Sequence, residues 1–116
     1  MTTGDDVKRI LNIWRHAVVE SVRQDGPDLS ARQMAILLTV YLAPPPHTVR
    51  GLAAALAISK PAVSRALDAM GAFGLVRRKA DERDRRSVVI LPTVKGTMFL
   101  NDFAELVDSA KEEDRP

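Results

Sequence analysis

No cysteine occurs among the 116 residues of this chain, which excludes disulfides, thiolate metal sites and thiol redox sensing. No apolar run approaches the roughly 18 residues that a membrane span needs. The opening residues, Met1-Thr2-Thr3-Gly4-Asp5-Asp6, lack the basic and apolar segments of a secretory leader. The sequence therefore reads as cytoplasmic, with no membrane partner. There is no glycine-rich phosphate loop, since Gly71 and Gly74 flank a helix end. His16 and His47 have no Asp or Glu at ligand spacing, so a metal site is unsupported. No serine stands in a recognisable arrangement with His and Asp, which leaves nucleophilic catalysis without a basis. Internal repeats and low-complexity linkers are absent too. Nothing calls for an enzyme or a cofactor.

What is present is an ordinary globular composition, 46% apolar and 28% charged, at a length that fits one domain spanning residues 1–116. Its net charge is only +2, but the distribution is polarised. Residues 60–95 carry nine Lys/Arg against four Asp/Glu, while residues 96–116 carry two against six. A basic middle beside an acidic end marks a molecule with one anion-seeking region.

Helical spacing of Val7, Ile10, Leu11, Trp14, Val18 and Val22 predicts a first helix over Asp5–Gln24, ended by Gly26-Pro27. Ser30 and Gln33 form a capping box, with Leu29 placed to staple onto Met34. The following run, Met34 to Leu42, is apolar almost all round, which predicts burial on most sides. Pro44-Pro45-Pro46 ends it. Thr48 caps a short helix that turns Leu52, Ala53, Leu56 and Ile58 inward. Ser59 caps the next, with Pro61 in its first turn, where a missing N–H costs nothing. Val63, Ala66, Leu67 and Met70 form the inner face of that helix and Gly74 closes it. Strands are expected over Leu75–Lys79 and Ser87–Leu91, the second ended early by Pro92. Thr93 caps a last helix, 93–111, with Phe99, Phe103, Leu106, Val107 and Ala110 as its main stripe and Met98 and Leu100 widening it. Glu112, Glu113 and Asp114 fall at its unfavourable dipole end, so fraying is expected there. The fold class is mainly α, with a small antiparallel wing.

Two helices joined by a tight turn, the second led by Ser59, Lys60, Pro61, Ser64 and Arg65, follow the helix-turn-helix pattern. A helix N-terminus favours phosphate, and Arg65 can place two hydrogen bonds on a guanine. Arg77, Arg78 and Lys79 on the first strand would meet phosphates. Past them, Arg83, Arg85 and Arg86 crowd together between Asp81, Glu82 and Asp84. Arginines held this close suit the enhanced negative potential of a narrow minor groove. Asp81 and Asp84 would brace the guanidinium directions. The partner this implies is double-stranded DNA.

Helix-turn-helix, Gly74-Leu75-Val76-x-Arg78, Asp81-x-Arg83-Asp84-x-Arg86 and Thr93-x-x-Gly96, in that order, resemble the winged helix-turn-helix of MarR-type transcriptional regulators. The likeness spans about Leu29 to Leu100 and is most specific in the wing. It implies a DNA-binding core over 30–92, the Ser59–Phe73 helix in the major groove and the wing at the minor groove, with Asp84 orienting Arg85 and Arg86. It also implies a homodimer whose terminal helices interleave, 5–24 and 93–111 here, with Ile10, Trp14, Val18, Phe99, Phe103 and Leu106 as the candidate contacts. Two helices after the wing are usual in that family. One is read here, so a smaller or differently arranged interface is expected, and whether a small-molecule effector binds stays open.

A second class remains beside the regulator, a winged-helix protein-interaction module or an antagonist that pairs with another regulator. The acidic last helix suits it; the basic wing suits DNA. Salt-dependent DNA binding separates the two.

Overall fold

A computed structural model describes residues 2–84 and 86–113. Five helices and two strands follow in the order α1 (Gly4–Arg23), α2 (Ala31–Leu42), α3 (Val49–Leu56), α4 (Lys60–Ala72), β1 (Val76–Ala80), β2 (Val88–Pro92) and α5 (Val94–Glu113). They pack as two units, Leu29–Met98 on the one hand and Met1–Asp28 with Phe99–Pro116 on the other. The division falls within α5, whose first turn belongs to the larger unit.

In the larger unit the core is built from the faces that helical spacing marks out. Ile36, Leu37 and Val40 of α2, Leu52 and Ala53 of α3, and Val63, Ala66, Leu67 and Met70 of α4 are buried with Leu75, Val76 and Ile90. The apolar run of α2 is not enclosed to its end, because Leu42 is 78% exposed where the helix gives way to the prolines. Local chemistry sets each helix start. The Ser30 hydroxyl accepts from the Gln33 N–H at 3.1 Å while the Gln33 side chain accepts from the Ser30 N–H at 2.9 Å, a closed capping box. The hydroxyls of Thr48 and Ser59 cap α3 and α4 by accepting the N–H of Gly51 and of Ala62. Between these two helices Ala57 takes a left-handed conformation, φ 54°, which turns the chain sharply without a glycine.

At the end of α4 the chain makes a complete Schellman closure. Gly74, at φ 76°, donates to the Gly71 carbonyl at 2.9 Å, and Leu75 donates to Met70 at 3.0 Å. This aims Leu75 and Val76 into the core and launches β1. The two strands pair antiparallel from Val76↔Pro92 to Ala80↔Val88.

Pro92 does not cut β2 short; it is the last residue of the ladder. The reason lies in the alternation of the strand. Ile90 turns its N–H away from β1, to the His47 carbonyl at 2.8 Å. Pro92, two residues on, directs its nitrogen to that same side, so its missing N–H removes nothing from the β1–β2 ladder. His47 is buried there, bridging to Ile90, with its Nε2 3.1 Å from the Ala43 carbonyl at the end of α2.

In the smaller unit, α1 begins one residue earlier than the spacing suggests because Thr3 caps it, in a reciprocal box with Asp6. Hydrogen bonds from Thr3 hold the Asp6 carboxyl below the usual carboxylate range. Trp14 meets Phe103 edge-to-face, ring centres 5.8 Å apart, and Ala17 and Ala110 are buried. Little else on α1 is covered: Val7, Ile10, Leu11, Trp14, Val18, Val19 and Val22 are all exposed. α5 runs to Glu113, two residues beyond the expected end, with Lys111 in its last turn offsetting the acidic charge at the dipole's negative end. Asp114 lies outside the described residues. No helix of the described residues is long and apolar enough to cross a membrane.

Candidate DNA interface

Capping of α4 by Ser59, whose hydroxyl accepts the Ala62 N–H at 3.2 Å, orders the helix start. Pro61 in the first turn has no N–H to satisfy. Lys60, Pro61 and Arg65 are exposed and Ser64 is half-buried, all on the side of α4 opposite its core residues. That side presents a positive helix end and two cations, a surface suited to phosphate and to base edges.

The repeated triplet Asp-x-Arg shapes the tip of the wing. The Asp81 carboxylate accepts the main-chain N–H of Arg83 at 3.0 Å. Asp84 accepts that of Arg86, also at 3.0 Å, and its other oxygen accepts the Ser87 hydroxyl at 3.1 Å. Two Asx turns therefore stand in series. Among the described residues, the hydrogen bonds that the Asp81 and Asp84 carboxylates accept come from backbone N–H groups and the Ser87 hydroxyl. The cause is geometric, since a carboxylate two residues before an N–H reaches it without straining either side chain. The tip closes with Asp81 N–H to the Ser87 carbonyl at 3.0 Å and Ser87 N–H to that of Asp84 at 2.9 Å. Arg83 and Arg86 are left exposed on a fixed turn. Arg85 lies outside the described residues.

On β1 the three basic residues differ. Arg77 is exposed, and Lys79 makes a loose ion pair with Glu82 at 3.6 Å. Arg78 turns back to α4, where its Nη1 donates to Asp68 Oδ1 at 2.7 Å and its Nη2 donates to the Ser64 carbonyl at 3.3 Å.

Tyr41, which has no part in the sequence expectations, and Gly96, named there without a role, join Thr93 in holding the wing's other end. The Tyr41 hydroxyl accepts the Thr93 N–H at 3.0 Å and lies 2.8 Å from the Leu75 carbonyl, to which it donates. Thr93 itself donates to the Gly74 carbonyl at 2.7 Å and accepts the Gly96 N–H at 2.9 Å, capping α5 as expected. Gly96 packs so closely that a Cβ there would overlap the Tyr41 hydroxyl and the Leu75 carbonyl. One signal for Tyr41 was available, since a phenol in a nearly all-apolar run needs a partner for its O–H.

In the smaller unit His16 Nδ1 lies 3.7 Å from Glu113. Among the described residues no three His, Cys, Asp or Glu gather to hold a metal ion.

Residues 28–87, just over half the chain, match the family model described as MarR family. The chain belongs to the MarR family. It is thus a winged-helix transcriptional regulator of MarR type, and solved structures of such proteins share its fold. The S. aureus MepR–DNA complex aligns with a TM-score of 0.78 at 22% identity, over 93% of this chain and 86% of that one. Tm0710, a transcriptional regulator from Thermotoga maritima, aligns at 0.73 with 25% identity, over 94% and 78%. The transcriptional repressor CouR, bound to a 23-mer DNA duplex, aligns at 0.69 with 28% identity, over 94% and 71%.

Proposed function

We propose that this MarR-family chain regulates transcription as a homodimer on double-stranded DNA, with α4 in the major groove and the wing at the minor groove. The observation that carries the reading is that one packed unit bears both an exposed Lys60–Arg65 face and an arginine tip fixed by Asx turns. Arg65 reads a base edge, Lys60 and the start of α4 seat a phosphate, and Arg83 and Arg86 follow groove width. Ser59 and Pro61 shape the helix start, and Arg77 and Lys79 lie on the strand that leads to the tip. CouR and MepR, both solved on DNA, support this use of the fold.

Dimerisation rests on α1. A stripe holding Ile10, Trp14 and Val18 stands open to solvent in one chain, and a contiguous exposed apolar surface of this kind marks an interaction site. Phe99, Phe103 and Leu106 of α5, half-buried in the same unit, would complete it.

Selection from a random duplex library tests the proposal. A two-fold protein selects an inverted repeat with half-site centres about one turn, ~10 bp, apart. Roughly 6–10 neutralised phosphates would make binding fall with salt at a log–log slope of about −5 to −9. A motif without a dyad, with a slope no steeper than about −3, would instead favour a protein-interaction module.

A further inference from the structure

Arg78 carries a positive charge on the strand that leads to the wing tip, and its charge alone would make it a phosphate contact. Its geometry points elsewhere. The two arms of its guanidinium grip α4 one helical turn apart, at the Ser64 carbonyl and the Asp68 carboxylate. Ser64 and Asp68 stand four residues apart on one face, and Ser64 is the immediate neighbour of Arg65. The fork thus registers β1 against the very turn that presents the base-reading arginine. A lysine's single ammonium nitrogen cannot reproduce the two separate, planar donors that the guanidinium sets on these acceptors.

We propose that Arg78 is a positioning residue, which through Asp68 fixes the angle between the wing and α4, so that the wing's choice of flanking sequence depends on this pair. The inference rests on the groove assignment proposed above. Asp68 is 66% exposed and Arg78 40%, so the bond adds little to stability. Its work is orientation. A wing free to pivot still meets phosphates, whereas reading groove width demands that its arginines arrive at one depth and angle. With Asp68 beside it, Arg78 is also largely neutralised as a phosphate ligand.

The test uses the full chain and the duplex it selects, carrying either A·T-rich or G·C-rich flanks. Arg78→Lys and Asp68→Ala are each expected to reduce the A·T-over-G·C affinity ratio about five-fold, and the double variant no further, as coupled residues do. Arg78→Ala is expected to keep the parent's salt slope. If it instead weakens both duplexes equally and flattens the slope by about one per subunit, Arg78 is a phosphate contact and the proposal is overturned. An unchanged flank ratio in Arg78→Lys and Asp68→Ala overturns it as well. A parent protein with no flank preference overturns the minor-groove reading and this inference together, a result distinct from the other two. Circular dichroism of each variant confirms that the fold is intact, and Arg78→Lys retains both charge and stem should Arg78→Ala not fold.

Discussion

The phenolic oxygen of Tyr41 lies 2.8 Å from the Leu75 carbonyl, joining the last turn of α2 to the residue that opens the wing, 34 positions away. The same oxygen accepts the Thr93 N–H, so a single side chain closes both ends of the β1–β2 segment. Gly96 lets α5 approach this point.

Gly96→Ala should therefore destabilise the chain by about 1–3 kcal/mol, the usual consequence of forcing a methyl into a filled site. Tyr41→Phe should cost about 1–3 kcal/mol through the groups it leaves unpaired. Urea denaturation measures both. A Gly96→Ala midpoint equal to the parent's would show that the site yields.

Ala57 supplies a change in the opposite direction. A left-handed alanine is strained by about 1–2 kcal/mol, only part of which glycine's greater unfolded-state freedom offsets. Ala57→Gly should raise stability by up to about 1 kcal/mol with DNA binding unchanged. Thermal melting and a binding isotherm together read this, and a lower melting point would contradict it.

At the wing tip the sign of the effect separates two explanations. Asp84→Ala removes a negative charge near DNA, which by charge alone should tighten binding. Loss of the Asx turn should instead weaken it, by about 0.5–1.5 kcal/mol, as one lost hydrogen bond does. Weaker binding with an unchanged melt is the outcome expected from the observed brace. Asp84→Asn, which keeps an acceptor, should recover most of the loss.

The two kinds of arginine should differ in what they read. Arg65→Ala should cost about 1–3 kcal/mol per half-site and relax preference at one base pair. Arg86→Ala should cost affinity mainly on A·T-rich flanks. Binding of both variants to a panel of site variants decides it. Equal losses on every sequence would reduce both residues to phosphate contacts.

For the oligomer, Leu11→Glu puts a charge in the middle of the open α1 stripe. Burying it at an interface would cost several kcal/mol, so the dimer should dissociate at micromolar concentration, and sedimentation would show a monomer. A variant that sediments like the parent would remove α1 from the interface.

Much of this architecture was legible because its determinants are local. The Ser30–Gln33 box, Ser59 before Pro61, and Gly74 after α4 each act within a few residues, and each stands where the spacing put it. Asp81 and Asp84 stood out by type and position, and among the described residues they hold main-chain N–H groups and the Ser87 hydroxyl, because a short carboxylate is satisfied nearest home. Pro92 misled because proline's effect in a strand depends on which side its nitrogen faces. That parity is set by the register of β2 on β1, which leaves the Ile90 N–H facing His47, and not by any neighbour in sequence. Tyr41 with Thr93 and Arg78 with Asp68 leave no periodic trace, since they lie 52 and 10 residues apart on different elements.

Pro92 has a consequence beyond its own strand. A two-stranded sheet has an open outer edge on each strand, and an open edge is a template on which a strand from another molecule can grow. On the outer edge of β2, Ile90 is already taken by His47 and Pro92 has no donor to give, which leaves Val88 alone among the outward-facing positions of the strand. One rung cannot seed a ladder. The outer edge of β2 is thereby closed to a pairing strand, in part by the absence of a single hydrogen atom.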